Sequence, residues 1–538
     1  MVLQAERSSI HGHATPGAVV TLTASPPRAG FPAKITANMD GIWTVEFGPQ
    51  ASNLVPSNIT VRSGAGIVTL SRVLWGDVIL CSGQSNMGVP TSYILNSSAA
   101  IAAATTLTKS VRLLRVSTGT GQATSPQTDV ALQLGWSKVT PTLVSGFSAV
   151  CWTFALGLAN RQPGEFAHKR PLGLVLSAVG GTPLEAWLTA DSAAKCPGVP
   201  ASAGCSHRGN VTSGLFNEQI APLRGMVFKL AIWYQGESNA LWGQFPNYAH
   251  TGISGYTCRY AQLIQGYRSA LDFVGRQGWL TVQIAPWLGQ HTHSVFPSIR
   301  FSQQAVGDET PGVATVVIQD LGDPNAPVGS MHPRDKYEVG SRLAAAAIAL
   351  EFIGVNTSGH NELAINAPQL GSTLVHPSKD GTTDSAWGGP AFVSITRDGP
   401  AAFSVQLARA AGLQMVGSRG CANVSIFDDG SERPPTQRCC DAPDTFQLWP
   451  TLNATQQRAP WTGVSGPDAH VECTVAGTGL NCTTPEPING SWLWTFAWQN
   501  FPACMLVNDA RLPASPMRVA VPHYGAATPP STSANVDQ

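Results

Sequence analysis

Charge is scarce in this chain. Only 12% of its 538 residues are Asp, Glu, Lys or Arg, and 32 basic residues balance 32 acidic ones. Soluble domains usually carry roughly 25% charged residues. No basic stripe is present, which leaves no case for nucleic-acid binding. No apolar run reaches the roughly 18 residues that signal a membrane-spanning helix. The best candidate, "LAAAAIALEFIGV" at 343–355, is short and contains Glu351. No Cys-x-x-Cys pair or His-Cys cluster has zinc spacing, and neither a metal nor an organic cofactor is expected. The opening "MVLQAERSS" lacks the apolar core of a signal peptide, which implies an incomplete or processed N-terminus.

Cysteine is present in an odd number, 11. Cys196/Cys205 and Cys473/Cys482 enclose short loops and are expected to form local disulfides. Cys81, inside an apolar strand, is the expected unpaired thiol. Eight Asn-x-Ser/Thr sequons occur, at Asn58, Asn96, Asn210, Asn356, Asn423, Asn453, Asn481 and Asn489. Together with the cysteines they imply a product of the secretory pathway, secreted or lysosomal.

The length allows two to four domains. Residues 1–72 alternate apolar and polar side chains in "GAVVTLTA" and "GIWTVEFG", as in a small β-sandwich. From 73 to 355 the texture changes. The near-continuous apolar runs "GDVILCS", "LGLVLSA", "MVFKLAIWY", "WLTVQIA" and "GVATVVIQD" suit a sheet covered on both faces. Between them lie segments of helical periodicity, such as "SAVCWTFALGLANRQ" and "KYEVGSRLAAAAIALEF". This alternation predicts a three-layer α/β domain. Residues 356–538 read as a β-rich region, with a disordered tail at "GAATPPSTSANVDQ".

Four of the strands run into unusual segments: "SGQSNMG" after the first, "AVGGTPLEAW" after the second, "WYQGESNA" after the third and "DLGDPNAPVGSMHPRDK" after the fifth. Ligands of α/β sheets gather at the carboxyl ends of the strands, so the four segments predict one site. A serine is a weak nucleophile until a base takes its proton, and Ser85 needs a histidine for that. Of 12 histidines, His332 is the one placed between a core strand and a core helix. Acyl transfer also needs donors aimed at the developing oxyanion. The Ser85 N–H, an N–H in Gly180-Gly181 and a side-chain amide after the third strand could supply them.

These motifs resemble the sialate O-acetylesterase family of SGNH-type hydrolases. "SGQSNM", "GGTPLEAW", "WYQGESNA" and "GSMHPRDK" carry the likeness, with "FSAVCWTFA" and "TFAWQNFPACMLVNDARLPASP" outside them. The resemblance implies a flavodoxin-like core and removal of O-acetyl groups from sialic acids. It implies Ser85 as nucleophile, His332 as base, and Ser85, Gly181 and Gln235 as the oxyanion hole. The substrate would be a small molecule or glycan. Acetylated polysaccharide such as acetylxylan is the alternative substrate, and a non-catalytic glycan-binding protein on the same scaffold is the alternative role.

One departure stands out. Many SGNH hydrolases carry Asp three residues before the histidine, where this chain has Gly329. Asp320 and Asp335 are candidates to orient His332, and a main-chain carbonyl is the other. Arg334 could pair with a sialic acid carboxylate or form a surface salt bridge. Trp187 could wall the sugar pocket or pack beneath its loop. Glu237 is expected to hydrogen-bond neighbouring loops.

Overall fold

The computed structural model describes residues 1–352 apart from 168, 197, 200–210, 243–252 and 289–295, and a discontinuous series of segments between 376 and 521. The chain divides into two compact units. The first comprises Met1–Gln235, Arg259–Leu280 and Lys336–Val355; the second comprises Gly236–Cys258, Thr281–Asp335 and Asn356–Gln538.

In the first unit, seven strands precede the first helix: β1 (Val2–Gln4), β2 (Ser8–His13), β3 (Val19–Ser25), β4 (Ala33–Thr36), β5 (Ile42–Phe47), β6 (Asn53–Ser63) and β7 (Gly66–Gly83). β2 pairs with β5, while β3 pairs with β4 and β6. Their inward residues Ile10, Val20, Leu22, Trp43, Phe47 and Ile59 share one apolar core with Val73 and Trp75. β7 is the longest strand, at 18 residues. Its first seven residues form an exposed hairpin with β6, and every residue from Val73 to Gly83 is buried. The expected boundary at 72 is therefore a change of burial inside an unbroken strand.

The buried half of β7 is the centre of a mixed sheet. The further strands are β8 (Val111–Val116), β9 (Leu132–Lys138), β10 (Leu172–Ala178), β11 (Val227–Tyr234) and β12 (Asp272–Val282), in the order β12–β11–β7–β10–β8–β9. β10 and β11 flank β7 in parallel. β10 and β11 are buried almost throughout, as their unbroken apolar sequences require. β9 is antiparallel to β8 and half exposed, an edge strand that its weaker apolar pattern had hidden.

Two helices, Ala149–Arg161 and Lys336–Ala349, pack on each other in this unit. Glycine permits the close approach: a Cβ at Gly340 would overlap the backbone of Thr153. The Thr153 hydroxyl donates to the Lys336 carbonyl at 2.8 Å.

The cysteine pattern differs from expectation at one position. Cys81 is not free; it is bonded to Cys151, with 6.0 Å between Cα atoms. Cys81 lies in the central strand and Cys151 in the first turn of the helix Ala149–Arg161, so the bond ties sheet to helix. Closing a loop of 70 residues is worth about 4 kcal/mol by chain-entropy reasoning. Cys473 and Cys482 are bonded as expected, across a register pair of two antiparallel strands. Cys196 and Cys258 are each disulfide-bonded. Cys205 lies outside the described residues.

In the second unit, β13 (Val313–Val316) follows a helix at Phe296–Glu309. After residue 355 the described elements are strands, including Ala391–Gly399, Ala402–Ala408, Phe446–Pro450 and Trp492–Phe496. They enclose a core of Phe403, Val405, Leu448, Trp494, Phe496 and Leu506. The tail from 522 lies outside the described residues.

Candidate active site

Three of the four motifs meet at one point of the first unit. Gly83, the last residue of β7, is in register with Ala178 at the end of β10 and with Tyr234 at the end of β11. Gly83 has φ +138°. A Cβ there would collide with the Tyr234 carbonyl, so only glycine allows the turn so close to β11. The next residue, Gln84, is extended and donates its N–H to that same carbonyl at 3.0 Å.

Ser85 then opens a four-residue helix, Ser85–Gly88. Gln84, Asn86 and Met87 are buried, whereas Ser85 is half-exposed. The turn presents one hydroxyl and buries its neighbours. It is held from behind by Ser148, whose hydroxyl donates to the Met87 carbonyl at 2.6 Å and accepts from the Cys151 N–H at 3.1 Å.

The β10 motif lies directly beside it. An ideal Cβ at Gly180 would sit 3.3 Å from the Ser85 Cβ. Gly181 has φ +72°, a left-handed conformation that favours glycine, and is exposed. Thr182 closes the turn: its hydroxyl donates to the Val179 carbonyl at 2.7 Å and accepts from the Trp187 indole at 3.0 Å. Gln235 is fully buried, and its Nε2 donates to the Thr182 carbonyl at 3.2 Å. The β11 terminus thus fastens the turn that carries Gly181.

Trp187 is 0% exposed and meets Trp233 edge-on, with ring centroids 5.9 Å apart. Its indole is packed beneath the loop that carries it. Glu185, two residues earlier, forms a 2.6 Å ion pair with Arg259, both side chains fully buried. Beneath the sheet end, burial pushes the Tyr267 phenol well above its ordinary pKa.

His332 belongs to the second unit, on a chain of tight turns. The Ala326 N–H donates to the Asp323 carbonyl, Gly329 to Ala326, and His332 to Gly329 at 3.0 Å. Gly329 has φ +92°, which the turn needs and which an aspartate there would resist. Arg334 grips Asp323 with two guanidinium bonds, 2.7 and 3.0 Å, and a third from its N–H at 3.1 Å. Partial burial pushes the Asp323 carboxyl up, but the hydrogen bonds and charge of Arg334 outweigh it and hold the pKa below the ordinary carboxylate value. The Arg334 guanidinium is thus paired with Asp323, the salt bridge that was one of its two expected roles. Asp320 stands in a 3-10 turn at Gln319–Leu321, and Asp335 ends the segment that carries His332.

Two residues inside the motifs were given no role from the sequence. Asn86 is buried, and its Oδ1 accepts from Nζ of Lys336 at 2.5 Å. Lys336 is itself 0% exposed and opens the helix Lys336–Ala349. A cation at a helix N-terminus opposes the dipole, and that broken rule was the available signal.

A family model described as carbohydrate esterase, sialic acid-specific acetylesterase, matches residues 75–349. The chain is 36% identical over 384 residues to a sialate O-acetylesterase of Pongo abelii, covering 65% of this chain and 69% of that protein. It is 35% identical to a sialate O-acetylesterase of Homo sapiens, with the same shares covered. A solved carbohydrate acetylesterase from Xanthomonas citri shares the fold, with a TM-score of 0.67 at 24% identity over 96% of this chain and 97% of that one.

Proposed function

The chain belongs to the sialic acid-specific acetylesterase family of carbohydrate esterases, and from that premise we propose that it removes O-acetyl groups from sialic acids, with Ser85 as nucleophile and His332 as base. The enzyme is an esterase. The observation that carries the assignment of the serine is its setting: a half-exposed hydroxyl on a turn whose neighbours are buried, beside the Gly180-Gly181 turn. For the histidine, the support is its motif: His332 stands in "GSMHPRDK", within the residues 75–349 that the family model matches.

The Ser85 oxygen attacks the acetyl carbonyl carbon as His332 takes its proton. The carbonyl oxygen becomes an oxyanion, held by the N–H groups of Ser85 and Gly181 and by the Gln235 amide, one N–H of which braces the turn at Thr182. The bond from the acetyl carbon to the sugar oxygen then breaks, and the imidazolium returns the proton to the leaving hydroxyl. Water attacks the acetyl-serine as His332 takes its proton; the bond from the acetyl carbon to the Ser85 oxygen then breaks, the imidazolium returns the proton to Ser85, and acetic acid leaves, ionising to acetate. We read the first unit's sheet and helices as the flavodoxin-like three-layer core of SGNH hydrolases, and residues 1–72 as a β-sandwich.

The substrate is tested by acetate release from O-acetylated sialic acid beside acetylxylan. We expect release from the sialic acid, with kcat/KM at least about 10²-fold above that for the xylan, a discrimination of a few kcal/mol. Equal or better turnover of acetylxylan would move the function to polysaccharide. No turnover of either, or of 4-nitrophenyl acetate, would point to glycan binding alone.

We also assign the protein to the secretory pathway, secreted or lysosomal. Disulfides support this, as do the sequons at Asn58, Asn96 and Asn481, all exposed in the described structure. The sequons at 210, 356, 423, 453 and 489 lie outside the described residues. Material made in a eukaryotic host should lose mass on enzymatic deglycosylation; an unchanged mass removes this assignment.

A further inference from the structure

Lys336 is a buried cation that the acyl-transfer steps above do not use. It is 0% exposed, and an ammonium taken out of water requires compensation. Its Nζ donates to Asn86 Oδ1 at 2.5 Å and lies 4.9 Å from the centre of the Tyr234 ring. Both contacts are of kinds that favour a charged amine in a buried place.

The two partners belong to different motifs. Asn86 follows the nucleophile directly. Tyr234 ends β11, its carbonyl accepts the Gln84 N–H, and the following Gln235 holds Thr182. Lys336 therefore touches the serine turn and the strand terminus that braces the oxyanion turn. Its own main chain is fixed as well, through the bond from the Thr153 hydroxyl to its carbonyl. It is also where the chain enters the first unit from the segment bearing His332.

We infer that Lys336 is a positioning residue for the esterase reaction: by binding Asn86 and capping the Tyr234 ring, it fixes the serine turn and anchors the C-terminal end of the His332 segment. The inference rests on the assignment of Ser85 and His332 above. Reacting groups displaced by about 1 Å can lose about 10²-fold in rate while substrate affinity survives. The signature of Lys336 is therefore a fall in kcat at constant KM, shared with Asn86.

The test measures kcat and KM with 4-nitrophenyl acetate, together with melting temperature, for Lys336→Met, Asn86→Leu and the double variant. Each single variant should lose about 10²-fold in kcat with KM nearly unchanged. The double variant should be no slower than the slower single one, because both remove the same link. A loss below about tenfold in Lys336→Met, or single losses that multiply in the double variant, overturns the inference. If Lys336→Met does not fold, Asn86→Leu decides alone, with the same limit of about tenfold. Ser85→Ala is run beside them. An active Ser85→Ala overturns the nucleophile assignment itself; an inactive one beside a fast Lys336→Met overturns only the role of the lysine.

Discussion

Ser85→Ala should abolish esterase activity and leave the fold intact. The substitution removes one oxygen from a half-exposed residue and keeps the backbone N–H that we propose holds the oxyanion. Alanine is a good helix former, so the short helix from Ser85 to Gly88 loses nothing by propensity. Among the described residues, the nearby serines Ser82 and Ser148 are buried, and Ser148 is committed to the Met87 carbonyl. In other serine hydrolases, losing the serine costs up to about 10⁶-fold in kcat, with a residue of catalysis left from the oxyanion hole and binding. We expect a loss of at least about 10⁴-fold here, with melting temperature and near-UV spectrum unchanged. Purified Ser85→Ala that keeps one-hundredth of the wild-type kcat or more would sink the assignment.

How far the sequence could be read differs by element, and the reasons are physical. β10 and β11 were legible because a strand buried on both faces must be apolar throughout, and "LGLVLSA" has few other uses. The convergence of three motifs at Gly83 followed from the same fact, since parallel strands place their carboxyl ends together. β9 was not legible, because an edge strand with one wet face need not be apolar. The Cys81–Cys151 bond escaped because periodicity does not report what faces a strand across the layer. Arg334 was ambiguous in the sequence because its partner Asp323 is 11 residues away along a chain of turns, beyond any helical or strand spacing. Trp187 was ambiguous for a similar reason: it ends a 3-10 turn, and the tryptophan it meets, Trp233, lies far along the chain in β11.

His332→Ala should be as slow as Ser85→Ala, since the serine hydroxyl attacks only as its proton is taken. In a working pair, removing either member costs about as much as removing both, up to about 10⁶-fold in kcat. The more discriminating comparison concerns what orients the imidazole. An aspartate three residues before the histidine would do it, but that position is Gly329 and has φ +92°, which a side chain would strain. Asp323 is bound by Arg334 through both carboxylate oxygens, which fixes the turn after His332 rather than the ring itself. Asp320 and Asp335 remain as side-chain candidates, and a carbonyl near 329–330 as the alternative. We expect the carbonyl, giving a serine–histidine dyad. On that reading Asp320→Asn and Asp335→Asn each lower kcat by about tenfold or less. A true triad acid behaves otherwise: its amide stabilises the wrong imidazole tautomer and costs about 10⁴-fold. The measurement is kcat for both amide variants beside His332→Ala. An amide variant as slow as His332→Ala would replace the dyad with a triad and name its acid.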